Sequence, residues 1–130
     1  MKKIIILCVA FFSVVCSYGQ QNQEKLVIDS IQVSPKLIKK IKDGKIILVD
    51  VRTPEEYGSG HLKYSKNIDY KKEDFNAQIN KLDKNKPVYL YCRTGNRSGK
   101  SVDILKKLGF KNVYNIGGFD NLKTAGLPAE

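Results

Sequence analysis

The chain is poor in the residues that build metal centres and disulfide frameworks. Its 130 residues contain no tryptophan, one histidine and three cysteines. Cys8 and Cys16 lie in the N-terminal segment, so a chain without that segment keeps only Cys92. One histidine and one cysteine cannot supply the four ligands of a structural zinc site, and a lone cysteine forms no internal disulfide. The composition argues against a metal site and leaves Cys92 as either an inert buried thiol or a reactive one.

The sequence has no apolar run as long as the roughly 20 residues that a membrane-spanning helix needs. The longest run, residues 4–15, follows Lys2 and Lys3 and is itself followed by the small residues Ser17 and Gly19. A basic start, a short apolar stretch and small residues before a cleavage point are typical of a secretory signal peptide. An uncleaved membrane anchor or a buried strand is the alternative interpretation of this segment.

The remaining chain is long enough for one domain with a proper core. No internal repeat or low-complexity tract interrupts it. We therefore predict a signal peptide over residues 1–19, an N-terminal lead-in over residues 20–33, and a single folded domain over residues 34–130. After signal cleavage we expect no stable insertion into a membrane.

Acidic residues are scarce relative to basic ones. Lysine and arginine total 23 against 13 acidic residues, a formal charge of +10, and loss of Lys2 and Lys3 with the signal leaves +8. The lysines are scattered and do not form a block with interleaved aromatics, so we predict a solvated surface rather than a nucleic-acid site. A basic field would still help small anions reach a binding site.

Apolar periodicity predicts an α/β fold. Strands are expected at residues 46–51, 87–92 and 112–116, with a first strand or extended lead-in at residues 26–33. Helices are expected at residues 34–43, from residue 53 to the break at residues 58–60, at residues 71–82 and 98–108, and in a short segment ending near residue 126. This alternation predicts an open, mainly parallel sheet with helices on both faces. Ligands of such sheets bind at the carboxyl ends of the strands.

Cys92 stands at one of these strand ends. An apolar strand ends in Cys92, a Gly-containing loop follows, and a helix begins after the loop, so backbone amides and the helix N-terminus converge on one point. The helix dipole, Arg97 and Arg93 would favour the thiolate, lowering its pKa from ~8.5 into the roughly 3.5–7.5 range. We therefore predict a nucleophilic cysteine. Asp50 and Arg52 fall at the end of a neighbouring strand, at the same rim.

Five segments of the sequence, in order, resemble the successive motifs of the rhodanese domain. They are DVRTPEEY at 50–57, GHL at 60–62, CRTGNRS at 92–98, GGF at 117–119 and AGLP at 125–128. The resemblance covers residues 34–128 and implies a rhodanese-like fold and a sulfurtransferase of the small, exported, periplasmic kind. It departs from the common pattern at Tyr64-Ser65, where many members have Gly-Ala, and at Leu122, where many have tryptophan.

The resemblance implies a role for each residue of the Cys92 loop. Cys92 would be the nucleophile and would carry sulfur as a persulfide. Its substrate-binding residues would be Arg93, Thr94, Gly95, Asn96, Arg97 and Ser98, whose amides wrap the outer sulfur while the two arginines hold the anionic donor. Four residues separate Cys92 from Arg97, as in sulfur-transferring members, whereas related phosphatases and arsenate reductases have one more.

Other residues at the rim are expected to have supporting roles. We expect Asp50 to tie its strand end to the active loop, and Arg52 to pair with Asp50 or Glu56 or to assist at the rim. His61 is expected to be structural. Gly117 and Gly118 are expected to serve a turn beside the site.

Taken with these residues, the resemblance implies a monomeric thiosulfate-type sulfurtransferase with no metal or organic cofactor. Its partners would be a small anionic sulfur donor and a thiol or cyanide acceptor. One alternative is a persulfide relay module fed by a protein partner. Another is an envelope redox protein that traps thiols, although the mature chain has no second cysteine to resolve a mixed disulfide.

Overall fold

The computed structural model describes residues 32–130. The signal peptide predicted over residues 1–19 lies outside the described residues, as does nearly all of the lead-in strand predicted at residues 26–33. Both stay predictions. Within residues 32–130, no helix has the length and hydropathy needed to cross a bilayer.

A sheet of four parallel strands forms the centre of the domain. The strands are β1 (Ile47–Asp50), β2 (Lys66–Asn67), β3 (Val88–Cys92) and β4 (Val113–Gly118), in the spatial order β2-β1-β3-β4. All three neighbouring pairs are parallel. The carboxyl ends of β1, β3 and β4 therefore meet at one rim, as the sequence predicts.

Five helices connect and cover the strands. They are α1 (Pro35–Lys42), α2 (Pro54–Gly58), α3 (Phe75–Asn80), α4 (Asn96–Lys107) and α5 (Phe119–Thr124). The first two begin as their sequences predict: Ser34 accepts a hydrogen bond from the amide of Leu37. Thr53 and Glu56 cap each other reciprocally, an arrangement that satisfies amides without intrahelical partners.

The buried side chains divide into two layers, one on each face of the sheet. On one face the strand residues Val49 and Leu90 pack with Phe75 of α3 and Leu105 of α4. On the other face the packed set combines strands with α1 and α5, and includes Ile41, Leu48, Tyr91, Ile116 and Leu122. Helices thus cover both faces, which confirms the predicted α/β class.

Four elements differ from the prediction. Strand β4 continues to Gly118, so Gly117 and Gly118 pair with Tyr91 and Cys92 and do not form the expected turn. Helix α4 begins at Asn96, two residues before the expected Ser98, because Gly95 adopts the left-handed N-cap conformation and lets the helix start at once. Helix α3 begins at Phe75, after turns that occupy the first part of the predicted helix. Strand β2 was not predicted, because a strand of two residues is too short to show an alternation of apolar and polar side chains.

Tyr64 keeps an unusual backbone conformation. Its φ is +69°, the only positive value at a non-glycine residue in the described part of the chain. Glycine is the residue that adopts this conformation without steric cost, and it is the residue that the resemblance leads us to expect here. The departure at Tyr64 therefore changes the side chain and leaves the turn in the left-handed region.

Candidate active site

Cys92 is the last residue of β3 and is fully buried. The backbone N–H of Gly95 donates a hydrogen bond to its Sγ at 3.0 Å, and the Ser98 hydroxyl lies 3.4 Å from the same atom. Donors from the loop and from the first turn of α4 therefore converge on the sulfur.

The loop can fold back over the sulfur because two glycines permit it. Gly95 has φ +93°, so the chain turns directly into the 12-residue helix α4 after the amide that bonds Cys92. Gly118 pairs with Cys92 across the sheet. A Cβ on Gly118 would lie 2.5 Å from the carbonyl oxygen of Arg93, so only glycine lets β4 approach the loop this closely.

The environment of Cys92 favours its thiolate. Burial raises the pKa of the thiol, but hydrogen bonds from the Ser98 hydroxyl and from the amides of Ser98, Thr94 and Gly95 outweigh it and leave the pKa below its usual value. Hydrogen bonds to the charged form act in this direction. The direction agrees with the sequence prediction, but the main stabilising groups are neutral donors rather than the two arginines.

Arg97 is held by a carboxylate. Its guanidinium donates two hydrogen bonds to Glu56, at 2.7 and 2.9 Å. The Arg97 hydrogen bond is the largest cause that lowers the pKa of Glu56, to about 2, with help from the capping bonds of Thr53. The charge of Arg97 is thus largely neutralised, and a donor anion would have to compete with Glu56 for it.

Asp50 and Arg52 form a second, fully buried pair. The Arg52 guanidinium and its backbone amide both bond the Asp50 carboxylate at 2.7–3.0 Å. The same guanidinium donates to the Gly60 carbonyl and lies 4.5 Å from the centre of the Phe119 ring. The Asp50 carboxylate therefore binds Arg52 and is not hydrogen-bonded to the loop after Cys92. The prediction that Asp50 connects its strand end to this loop by hydrogen bonds is wrong. Of the expected roles of Arg52, the structure shows pairing with Asp50.

Arg93 opens onto a surface cleft beside the loop. The cleft has a volume of about 210 Å³ and is lined by Arg52, Glu56, Ser59, Arg93, Phe119 and Asp120. Arg93 is exposed, as are Thr94 and Asn96. Among residues 32–130, Arg93 has no acidic group within ion-pair distance. It is therefore the arginine of the loop whose charge is available to a bound anion.

The ring of His61 contacts Tyr57 and not Cys92. Its ring stacks on Tyr57 with the centroids 3.7 Å apart. Its Nδ1 lies 2.9 Å from the Tyr57 carbonyl oxygen. These contacts fix the turn after Gly60 and agree with the structural role expected from the sequence. Within the described residues, no group of three or more histidine, cysteine or acidic side chains could hold a metal ion.

The sequence analysis missed Asn115 of β4. Its Nδ2 donates to the Gly95 carbonyl at 2.9 Å, and its Oδ1 accepts from the Ser98 hydroxyl at 2.7 Å. A polar residue two positions before the Gly-Gly pair, in a strand parallel to the one that ends at the nucleophile, is the signal that could have found it. Asn115 thus contacts both residues that bond the sulfur.

These features agree with the comparison to known families. Residues 34–125 match the model of the rhodanese-like domain, and the chain therefore belongs to the rhodanese-like domain family.

Named relatives differ in what they do. The chain is 36% identical over 80 residues to the thiosulfate sulfurtransferase PspE of Escherichia coli, covering 62% of this chain and 74% of PspE. It is 40% identical over 103 residues to the tRNA uridine(34) hydroxylase of Pelagibacter ubique, covering 78% of this chain but 33% of that protein. A solved structure described as a rhodanese with anions from E. coli matches with a TM-score of 0.55 and 32% identity, covering 65% of this chain and 96% of that one.

Replacing Gly118 with alanine should disturb the active loop. Because the new Cβ would lie 2.5 Å from the Arg93 carbonyl oxygen, β4 or the loop must shift, and we expect Gly118→Ala to lower the free energy of unfolding by about 1–3 kcal/mol. Urea titration measures this loss. The control is Gly58→Ala, whose Cβ would meet nothing within 4 Å. Equal stability of the two variants would contradict the close-packing argument.

The Glu56–Arg97 pair should make stability depend on pH. The folded pKa of Glu56, about 2, lies below its usual 4.5, so its contribution is complete above about pH 4.5 and is lost as the pH falls through about 2. We expect Glu56→Gln to lower the free energy of unfolding by about 1 kcal/mol at neutral pH, because the pair is partly exposed. At about pH 3 the loss should be smaller.

Urea unfolding of wild type and variant at the two pH values measures this difference. Glu55→Gln is the control, because Glu55 is exposed and lies in the same helical turn. A Glu56→Gln deficit that is independent of pH would show that packing, and not charge, holds Arg97.

Proposed function

We propose that the protein is a sulfurtransferase that carries sulfane sulfur as a persulfide on Cys92. The observation that carries this proposal is the convergence of the Gly95 amide and the Ser98 hydroxyl on the Cys92 sulfur, at the N-terminus of α4. Such donors stabilise a thiolate without requiring a general base beside it. The relationship to a thiosulfate sulfurtransferase supports the same conclusion.

The reaction consists of two balanced displacements at sulfur. In the first, the Cys92 thiolate attacks the outer sulfur of thiosulfate; a new S–S bond forms, the S–S bond of thiosulfate breaks, and sulfite leaves with the electron pair. In the second, cyanide or a thiolate attacks the outer sulfur of the persulfide and the Cys92 thiolate is released. The attacking and leaving groups are anions in both steps, so positioned donors are the main requirement.

The cleft beside Arg93 is the proposed site of the donor. Arg93 is exposed and has no ion-pair partner in the described chain, whereas Arg97 and Arg52 are neutralised by Glu56 and Asp50. The donor's anionic end would therefore meet Arg93 first. By the resemblance to the rhodanese domain, the four-residue spacing between Cys92 and Arg97 further supports sulfur transfer over phosphate or arsenate chemistry.

Asp120 favours a second candidate, a persulfide relay fed by a protein partner. Asp120 is an exposed carboxylate that lines the same cleft as Arg93. It opposes the approach of a thiosulfate dianion more strongly than that of a protein persulfide group, which carries at most one negative charge. The two candidates share Cys92 and differ in the charge of the donor.

Thiosulfate turnover tests the main proposal. We expect the purified protein to form thiocyanate from thiosulfate and cyanide, and the Cys92 peptide to gain the mass of one sulfur atom when cyanide is omitted. Cys92→Ser should abolish both signals, because the hydroxyl is a far weaker nucleophile at neutral pH. Turnover that survives in Cys92→Ser would contradict the proposal.

A folded wild type without thiosulfate turnover would favour the relay if a protein persulfide loads Cys92. Mixed disulfides with partner proteins and no bound sulfane sulfur would instead favour thiol trapping.

The role of the cleft charge can be tested at Asp120. Asp120→Asn removes a negative charge beside Arg93, and we expect kcat/KM for thiosulfate to rise a few-fold, on the order of 1 kcal/mol for a dianion at a solvated site. The gain should shrink with added salt. Asp103→Asn, on the exposed part of α4, makes the same charge change away from the cleft and should have little effect. An unchanged kcat/KM in Asp120→Asn would place the donor elsewhere.

A further inference from the structure

Asn115 lies between the active loop and the sheet. It is a half-buried residue of β4 that pairs with Leu90 of β3. Immediately after this pair the register between the two strands shifts, so that Tyr91 and Cys92 pair with Gly117 and Gly118. Asn115 lies on the same face of the sheet as Val113 and Leu90, the face that α4 covers, so its side chain lies beneath the start of α4.

One amide group makes three hydrogen bonds there. Nδ2 donates to the Gly95 carbonyl at 2.9 Å, while Oδ1 accepts from the Ser98 hydroxyl at 2.7 Å and from the Gly117 amide at 3.1 Å. The carbonyl of Gly95 can only accept and the amide of Gly117 can only donate, so the chemistry fixes which end of the side chain is oxygen. Loop, helix and strand are thus joined through one side chain.

The arrangement requires the amide of asparagine. Aspartate has no N–H for the Gly95 carbonyl, and serine is too short to reach loop and helix together. The space is also narrow, since a Cβ on Gly99 would lie 3.2 Å from Nδ2 of Asn115. A longer side chain would not fit beneath the helix.

The Ser98 hydroxyl has one proton and two acceptors within reach. Asn115 Oδ1 is 2.7 Å away and the Cys92 sulfur is 3.4 Å away. A thiolate is a stronger acceptor than a thiol, so the hydroxyl can turn toward the sulfur when Cys92 ionises and toward Asn115 when it does not. When the hydroxyl turns toward Asn115, Oδ1 holds the oxygen of Ser98 in place. When it turns toward the sulfur, Oδ1 keeps its hydrogen bond from the Gly117 amide.

We propose that Asn115 is a positioning residue for the Cys92 nucleophile, holding the Gly95 amide and the Ser98 hydroxyl in line with the sulfur. It does not touch the reacting sulfur; it acts through Gly95 and Ser98. The catalytic meaning of this role rests on the proposed sulfur transfer. The geometry itself is independent of which donor is used.

The buried and half-buried charged groups near Cys92 are paired, and the unpaired ones face the cleft. On the neighbouring elements, Asp50 at the end of β1 binds Arg52, two residues further on, and Glu56 of α2 binds Arg97 of α4. Arg93 and Asp120 face the cleft. A new charge at residue 115 would meet the Gly95 carbonyl directly and would compete with the sulfur for the proton of Ser98.

Asn115→Asp tests the proposal through the pH profile of Cys92 alkylation. Iodoacetamide labelling of the Cys92 peptide is followed by mass spectrometry in the full chain. We expect the midpoint to rise by about one pH unit, and the rate below the midpoint to fall roughly tenfold, because the carboxylate repels both the Gly95 carbonyl and the thiolate. Asn112→Asp is the control, since Asn112 is exposed and precedes the opposite end of β4.

An alkylation midpoint that moves no further in Asn115→Asp than in Asn112→Asp would overturn the proposal. Alkylation needs no sulfur donor, so this result is separate from thiosulfate turnover. A wild type that fails to turn over thiosulfate would remove the proposed function and leave the positioning of the thiolate standing.

Asn115→Ser keeps the test decisive if the aspartate variant does not fold. The shorter, uncharged side chain cannot span from Gly95 to Ser98, so we expect hydrogen exchange at the Gly95 and Gly117 amides to become at least about tenfold faster. The Gly109 amide, which bonds the Lys106 carbonyl at the far end of α4, should be unchanged. Unaltered exchange at Gly95 would show that the loop holds itself without Asn115.

Discussion

The close approach of two backbone segments is the constraint on which the site depends. The loop after β3 must lie against the end of β4, and a Cβ on Gly118 would overlap the Arg93 carbonyl. Only at this distance can Asn115 reach the Gly95 carbonyl and can the loop turn its Gly95 amide toward Cys92. The geometry of the site therefore couples three features: the sheet register, the positions of the glycines and the hydrogen bonds to the Cys92 sulfur. A change in one of them shifts the other two.

The electrostatic arrangement separates buried charge from available charge. The carboxylates of Asp50 and Glu56 hold Arg52 and Arg97, which stabilises the rim and offsets the positive charge of the two guanidinium groups. Neutral donors hold the thiolate instead. Charge-assisted pairs fix side chains in place. Oriented amides stabilise an anion without a full positive charge, so a product anion does not have to break an ion pair when it leaves. Arg93, at the cleft, supplies the accessible positive charge.

Much of this could be predicted from the sequence, because it follows from local patterns. Apolar runs placed the central strands, Ser34 and the Thr53/Glu56 capping box placed two helix starts, and the strand-loop-helix order placed Cys92 at the rim. What could not be predicted depends on partners far apart in the chain. Glu56 and Arg97 are 41 positions apart, and no local pattern shows that they pair. Asn115 and Gly95 are 20 positions apart. The register shift that brings Gly117 and Gly118 beside Tyr91 and Cys92 is not contained in single-sequence periodicity either.

During sulfur transfer the negative charge would lie at different depths in the site. In the thiolate the charge lies on the buried Sγ, next to the Gly95 amide and the Ser98 hydroxyl. In the persulfide the charge moves outward by one S–S bond, about 2 Å, and the inner sulfur no longer needs the Ser98 proton. Asn115 then offers that hydroxyl an acceptor at 2.7 Å, so no buried donor is left without a partner in either state. Because an unpaired buried polar group costs about 1–3 kcal/mol, an acceptor in this position keeps the two states close in energy, which a carrier that must both take up and release sulfur requires.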